Sequence, residues 1–390
     1  MKKISVVCLL VFALGFSCKE KYVPQLNLTA SSYLVVEGFI NSGVGATTIT
    51  LSRTTKLSDT TTIKLEPKAT VKVEGKLNTT GFVLTETSPG KYTNPQLTLN
   101  PADQYRVYIK TSAGREYVSA YSAVRTTPVI DSVFWRRENE GVQLYVNTHD
   151  ATNKTRYYQY FYDETWEFHA QYMAVLKVLY NSQGIPRGIG YIDSTTYSLD
   201  TNMYRCWQYS TLSNILITST EQLTQDVVAL RPLQFIEKGS WKLSQLYTIL
   251  VKQRAVSKEG YQFLEQLRKN TEQIGSIFDA QPSDNNGNIR CLNNPAEPVM
   301  GFVEVTQEKE QRIWINVSQV PGWYWDQGCD PEIQIKNNPD SLLSVGPTKY
   351  MLTTIYAGSI GGFVAYANAA LYTCVDCRTK GVRRRPPYWP

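Results

Sequence analysis

The chain has 390 residues, 42% of them hydrophobic, with 40 basic and 34 acidic side chains and a formal net charge of +6. That length suffices for two domains and a sizeable core. The positive charge is diffuse apart from Arg383-Arg384-Arg385, and lacks the broad basic surface or recognisable module of a nucleic-acid-binding protein. Tyrosine is frequent, at 26 residues, beside 8 tryptophans. These rings join a large apolar area to a polar tip. They suit all-β envelope proteins, protein interfaces and carbohydrate-binding surfaces alike.

Met1-Lys2-Lys3 is a short basic start. An uncharged apolar run follows over 4–16, and the chain turns polar at Lys19-Glu20-Lys21. This is the layout of an export signal. The run is shorter than the about 20 apolar residues that cross a hydrocarbon core. Leu14-Gly15-Phe16-Ser17-Cys18 resembles a bacterial lipoprotein processing site, with Phe16 where the strict pattern has a small residue. The chemistry needs a thiol there: a thioether to diacylglycerol forms on sulfur, and cleavage leaves Cys18 as the acylated N-terminus. Acyl chains then anchor the protein, at about 0.8 kcal/mol per buried CH₂. Residues 1–18 are read as a lipoprotein signal peptide ending at the acylated cysteine, and 19–31 as a tether. Lys19-Glu20-Lys21 is similar to a charged tag that sends such lipoproteins to the cell surface; the periplasmic face is the alternative.

Leu34-Val35-Val36-Glu37-Gly38-Phe39-Ile40 is a β run that ends in the turn Asn41-Ser42-Gly43. Residues 47–51 form another. Val71 and Val73 alternate with Lys72 and Glu74, and Tyr105, Val107 and Ile109 alternate with Arg106, Tyr108 and Lys110. This is the period of half-buried strands. With 82–85 and 117–124 they make about six or seven short strands, which predict an immunoglobulin-like β-sandwich over 32–126. Thr126-Thr127-Pro128 marks a boundary. Residues 127–390 read as a larger β-rich domain with one or few helices, so the whole is mainly β.

In that second part, β signals occur at 129–135, 142–146, 155–162, 173–180 and 204–209. Ser257 is an N-cap candidate, Glu259 places an acid in the first turn, and Tyr261, Phe263, Leu264 and Leu267 supply an apolar side. Together they predict a helix over 258–272 whose stripe packs in the core. Asp284, Asn286 and Asn288 offer oxygens in a polar turn but lack the Gly position and distal Glu of an EF-hand loop. β signals return at 299–305, 313–317 and 350–355.

Beyond Cys18, the mature chain carries Cys206, Cys291, Cys329, Cys374 and Cys377. Export places them where disulfides persist. Five is odd, so at most two internal disulfides form and one thiol is left, with the connectivity open. Cys374-Val375-Asp376-Cys377 has redox or metal-site spacing. A thioredoxin-like pair precedes a helix, which Gly381, Pro386 and Pro387 preclude. A zinc site needs four ligands, and Cys291 and Cys329 would complete one. Structural disulfides are the expected use.

Trp323, Tyr324 and Trp325 form the most distinctive aromatic cluster. Exposed rings would make a sugar platform, and rings buried against a partner would anchor an interface. Packing in a loop supported by Cys329 is the plainer role. The three are carried as candidate ligand or interface aromatics.

Signatures of catalysis are sparse. Only His149 and His169 occur, and there is no His-Glu-x-x-His, phosphate loop or dinucleotide fingerprint. Gly358-Ser359-Ile360-Gly361-Gly362 lacks nucleophile-elbow spacing. Paired carboxylates hydrolyse glycosides without His or Ser, yet no pair stands out. No catalytic residue, metal or cofactor is assigned, and a non-enzymatic role is expected.

Several segments match together. They are Leu34-Val35-Val36-Glu37-Gly38, Tyr247-Thr248-Ile249-Leu250-Val251-Lys252-Gln253, Ser257-Lys258-Glu259-Gly260-Tyr261, the stretch 275–289, Cys374-Val375-Asp376-Cys377-Arg378 and the tail 381–389. With the lipoprotein start, they resemble the DUF4249 family of Bacteroidetes lipoproteins over most of the mature chain. Val382-Arg383-Arg384 departs from a glycine-rich, polar stretch in that family. The resemblance carries no catalytic residues. It implies an outer-membrane lipid anchor and an accessory role beside a TonB-dependent receptor, by association of genes. The substrate would be a peptide, a glycan or a chelated metal. A surface scaffold and a carboxylate-dependent hydrolase are the alternatives.

Overall fold

The computed structural model describes residues 32–55, 63–77, 81–192, 203–272, 287–323, 325, 327–346, 349–355 and 364–390. Cys18, the tether, Tyr324, Asp284, Asn286 and the Gly358-Ser359 segment lie outside them.

The chain is mainly β, as its alternating patterns require. Leu34–Asn41 and Thr47–Arg53 pair antiparallel from Leu34/Arg53 to Phe39/Thr48. Gly38 sits at φ +126°, and a Cβ there would collide with the Thr48 carbonyl, so the close crossing of these strands needs glycine. Thr70–Gly75 lies between Phe82–Ser88 and Gln104–Lys110. Its Val71 and Val73 enter one core with Tyr105, Val107 and Ile109, as the period of two demands.

The spacing of these strands predicts two facing sheets. In the structure, hydrogen bonding follows one continuous path around that core, part of which is a curled half-barrel, and this shows a mainly β unit without showing the specific immunoglobulin-like arrangement. Strand spacing gives number and period, but not where a sheet bends. The path is completed by segments far along the chain. Ile289–Cys291 pairs with Glu116–Ser119, and Val305–Thr306 runs parallel to Ile40 and Asn41. Asn288, the described member of the polar turn, clamps Val303: its amide donates to the Val303 carbonyl and its oxygen accepts from the Val303 N–H.

Two further sheets share a second core. One is three-stranded: Ile130–Glu138, Gly141–His149 and Val227–Glu237. The other has five strands, with the thirteen-residue Tyr157–His169 as its spine. Arg205–Thr211 and Leu216–Ser219 flank the spine on one side, and Leu246–Ala255 then Glu308–Asn316 follow on the other. Val142, Leu144 and Val146 of the first sheet meet Tyr160, Ile249, Val251 and Ile315 of the second. Gln253 ties the two parts of the chain at their junction, donating to the Pro128 carbonyl and to Thr148.

The helix Lys258–Glu272 starts where Ser257 accepts a hydrogen bond from the Gly260 N–H at 2.8 Å, an N-cap. Tyr261 packs on Tyr157 and Phe263 on Phe302. A small third core joins the hairpin Leu176–Tyr180/Pro186–Tyr191 to the sheet of Ile333–Lys336, Tyr366–Leu371 and Tyr350–Ile355. Among the described residues no helix is long and apolar enough to cross a membrane.

Candidate functional site

Alternation along Tyr157–His169 sends Tyr162, Trp166 and Phe168 into the core. It therefore sends Thr165 and Glu167 to the opposite, outer face. Their strand neighbours Tyr209 and Trp207 share that face. So do Thr248, which pairs with Thr165, and Trp314, which pairs with Thr248. Left bare, this face would expose two indoles and a carboxylate. The C-terminal residues lie across it.

The tail reaches the face through covalent and backbone ties. Cys377 is bonded to Cys206 on the edge strand, and Cys374 to Cys329. Gly381 passes so near the sheet that a Cβ would meet the Phe168 ring at 2.7 Å and the Trp207 carbonyl at 2.5 Å. Val382 and Trp207 then exchange two backbone hydrogen bonds of 2.8 Å each. This bridge pairs part of an edge that would otherwise invite a foreign strand.

Farther on, the Tyr388 hydroxyl lies 2.9 Å from Thr165 Oγ1, and the Arg312 guanidinium stands 4.1 Å above its ring. Trp389 is buried edge-on between Trp207 and Trp314, with centroids at 6.2 and 5.0 Å. Its indole N–H donates to Glu167 Oε2 at 3.0 Å. Arg205 donates to the same oxygen at 2.7 Å, and His169 Nε2 lies 3.2 Å from Oε1. Burial by itself would raise the Glu167 carboxyl, but the bonds from His169, Arg205 and Trp389 outweigh it and hold the group below its usual value. Arg385 closes the end, donating to the carbonyls of Trp389 and Pro390.

The candidate residues fall into distinct places. Cys206, Cys377, Cys329 and Cys374 converge on this C-terminal strap as two disulfides, so both members of the closely spaced pair are engaged elsewhere. Cys291 is a buried free thiol in the N-terminal sheet, remote in topology from the strap. Trp323 is a core residue, 8% exposed, with Trp325 at 6.1 Å and the Arg137 guanidinium 4.7 Å above its ring. Trp325 is half-buried against the same core. With its ring enclosed, Trp323 presents no free face to a sugar.

Two concave places lie elsewhere. A cleft of about 570 Å³ is lined by Arg53, Lys64, Glu66, Arg115 and Glu297, beside the point where the described chain begins. Its guanidiniums are engaged, Arg53 with Glu66 and Arg115 with Glu297, each at 2.6 Å. A cavity of about 60 Å³ lies at the helix N-terminus. There Arg254 is stacked between Phe39 and Phe161 and ion-paired to Glu308. Among the described residues no group of three His, Cys, Asp or Glu side chains is placed to hold a metal ion.

The face under the strap was not foreseen residue by residue. Glu167, Trp207, Trp314 and Trp389 carry no shared motif, and the indole–carboxylate bond spans 222 residues of sequence. The available signals were the aromatic abundance and the tail pattern.

A family model described as a domain of unknown function (DUF4249) matches residues 19–312. No curated protein matches the chain.

Proposed function

This chain belongs to the DUF4249 family, and from that premise we propose that it is a non-enzymatic, lipid-anchored outer-membrane protein that assists a TonB-dependent receptor in capturing or admitting a substrate. The observation that carries the reading is the start of the chain: a basic n-region, an apolar run and Cys18 at the head of a polar tether. An acylated Cys18 puts the folded part within a tether of the membrane. Lys19-Glu20-Lys21 favours the cell surface.

The pairing of four cysteines in two disulfides fits an exported chain. The side chains with the strongest polar networks, such as Glu167, spend them on holding the fold, which favours binding over turnover.

The test is affinity purification of the tagged, natively acylated protein from gently solubilised outer membranes, followed by mass spectrometry. A stoichiometric TonB-dependent receptor in the eluate is the expected result. A receptor present in the extract but absent from the eluate would overturn the stable-complex reading.

A further inference from the structure

We propose that Arg383 and Arg384, together with Tyr209, Val382 and Tyr388, form a docking surface for an acidic segment of a protein partner. The inference rests on the receptor-side reading only in requiring a protein partner.

The two guanidiniums are exposed, and neither has an ion pair or hydrogen bond to another described residue. Their neighbour Arg385 is different, being engaged with the chain end. Of the acids that strand Tyr157–His169 places on this face, Glu167 is already occupied by Arg205, Trp389 and His169, and Asp163 by Lys252. Two cations adjacent in sequence thus stand without an ion-pair partner among the described residues, and each guanidinium is a planar fork matched to a carboxylate.

The surrounding surface narrows the partner. Val382 is 47% exposed, Tyr209 48% and Tyr388 44%. Tyr209 and Tyr388 are linked through Thr165, which is the strand partner of one and the hydroxyl partner of the other. Burial raises the Tyr209 hydroxyl, with Tyr388 adding to this and Arg384 opposing it. Arginine and tyrosine are enriched among the anchors of protein interfaces. A phosphate-bearing surface would be served by charge alone.

The segment is also fixed before any partner arrives. The Cys206–Cys377 disulfide and the Val382–Trp207 bridge hold one side, and buried Trp389 holds the other. Little conformational freedom is then lost when Arg383 and Arg384 are engaged.

The experiment uses the natively acylated full chain in detergent and a fluorescent peptide of alternating Glu and Tyr, followed by anisotropy. Controls are the same peptide with Gln for Glu, and vesicles containing phosphatidylglycerol. Saturable binding of the acidic peptide is expected, weakening at least about tenfold in R383Q/R384Q and falling as salt shortens the screening length. The charge-matched control K177Q/R187Q, on the hairpin that packs in the third core, should bind as wild type. Retained disulfides and an unchanged melting temperature show that the variants fold. Equal weakening in both double variants would overturn the proposal. So would Arg-dependent binding to the vesicles without binding to the peptide. Loss of receptor co-purification with intact, Arg-dependent peptide binding would count against the receptor reading alone.

Discussion

The Trp389 indole donates to the Glu167 carboxylate at 3.0 Å, joining the next-to-last residue of the chain to the C-terminal end of the strand Tyr157–His169. The same indole lies edge-on to Trp207 and Trp314, so one side chain covers three strands of the five-stranded sheet. Trp389→Ala removes both the ring and the donor and is expected to cost about 3–5 kcal/mol. Trp389→Phe keeps most of the ring and leaves the carboxylate one donor short, at about 1–3 kcal/mol. Chemical denaturation of the two variants checks the order. A Trp389→Ala variant as stable as wild type would show that the strap contributes nothing to the fold.

The Glu167 network has a pH signature. Burial opposes its ionisation, but His169, Arg205 and Trp389 outweigh that, so the folded-state pKa is lowered. Its contribution is therefore present above the unfolded value of about 4.3 and is lost as pH falls through the folded value. Glu304 has the opposite sign. Burial raises it despite hydrogen bonds from Ser257, so its contribution is present at low pH and is lost as pH rises through the folded value. Glu167→Gln should thus destabilise more than Glu304→Gln at pH 7, and the gap should close below about pH 4. Melting curves across pH decide this, and an order reversed at pH 7 would refute the assignment.

Gly381 is held close to the sheet. An added Cβ would meet the Phe168 ring at 2.7 Å, against a residue that is itself fully buried. Gly381→Ala is expected to lose about 1–3 kcal/mol through overpacking. It should also weaken the Val382–Trp207 bridge, which faster amide exchange at Val382 would reveal. Unchanged exchange at Val382 would mean that the backbone yields there at no cost.

Much of the fold was legible because period and capping are local. Val71 and Val73 faced the core as their alternation required, and Ser257 capped the helix Lys258–Glu272 through Gly260. Long-range pairing was not legible. Nothing in the run 34–40 announces that Ile40 will pair with Val305, or that a single sheet will curl where facing sheets are equally compatible with the spacing. The candidate site shows the same divide. Trp323 attracted attention by its local density of rings, yet it lies enclosed beside Arg137. Trp389 had little to mark it, because its partners Glu167, Trp207 and Trp314 are set by strand register.

Thiol counting tests the covalent frame and the processing of the leader together. Cys206–Cys377 and Cys329–Cys374 leave Cys291 as a free thiol, 1% exposed on a strand paired with Glu116–Ser119. With the Cys18 sulfur held as a thioether, an alkylating reagent should therefore label no cysteine of the native exported chain. It should label one after unfolding without reductant. Complete reduction should bring the total to five labelled thiols if the Cys18 sulfur is held as a thioether, and to six if the leader is removed with Cys18 unmodified. The two disulfides should also differ in effect. They are separated by 171 and 45 residues, which corresponds to about 5 and about 4 kcal/mol of loop-closure stabilisation. Cys206→Ala/Cys377→Ala should accordingly melt lower than Cys329→Ala/Cys374→Ala, and it should free the strap that carries Arg383 and Arg384. Mass spectrometry of the alkylated peptides reads the count directly. Two further thiols labelled before reduction, beyond Cys291 and any unmodified Cys18, would mean that one of these two disulfides is not formed in the exported protein.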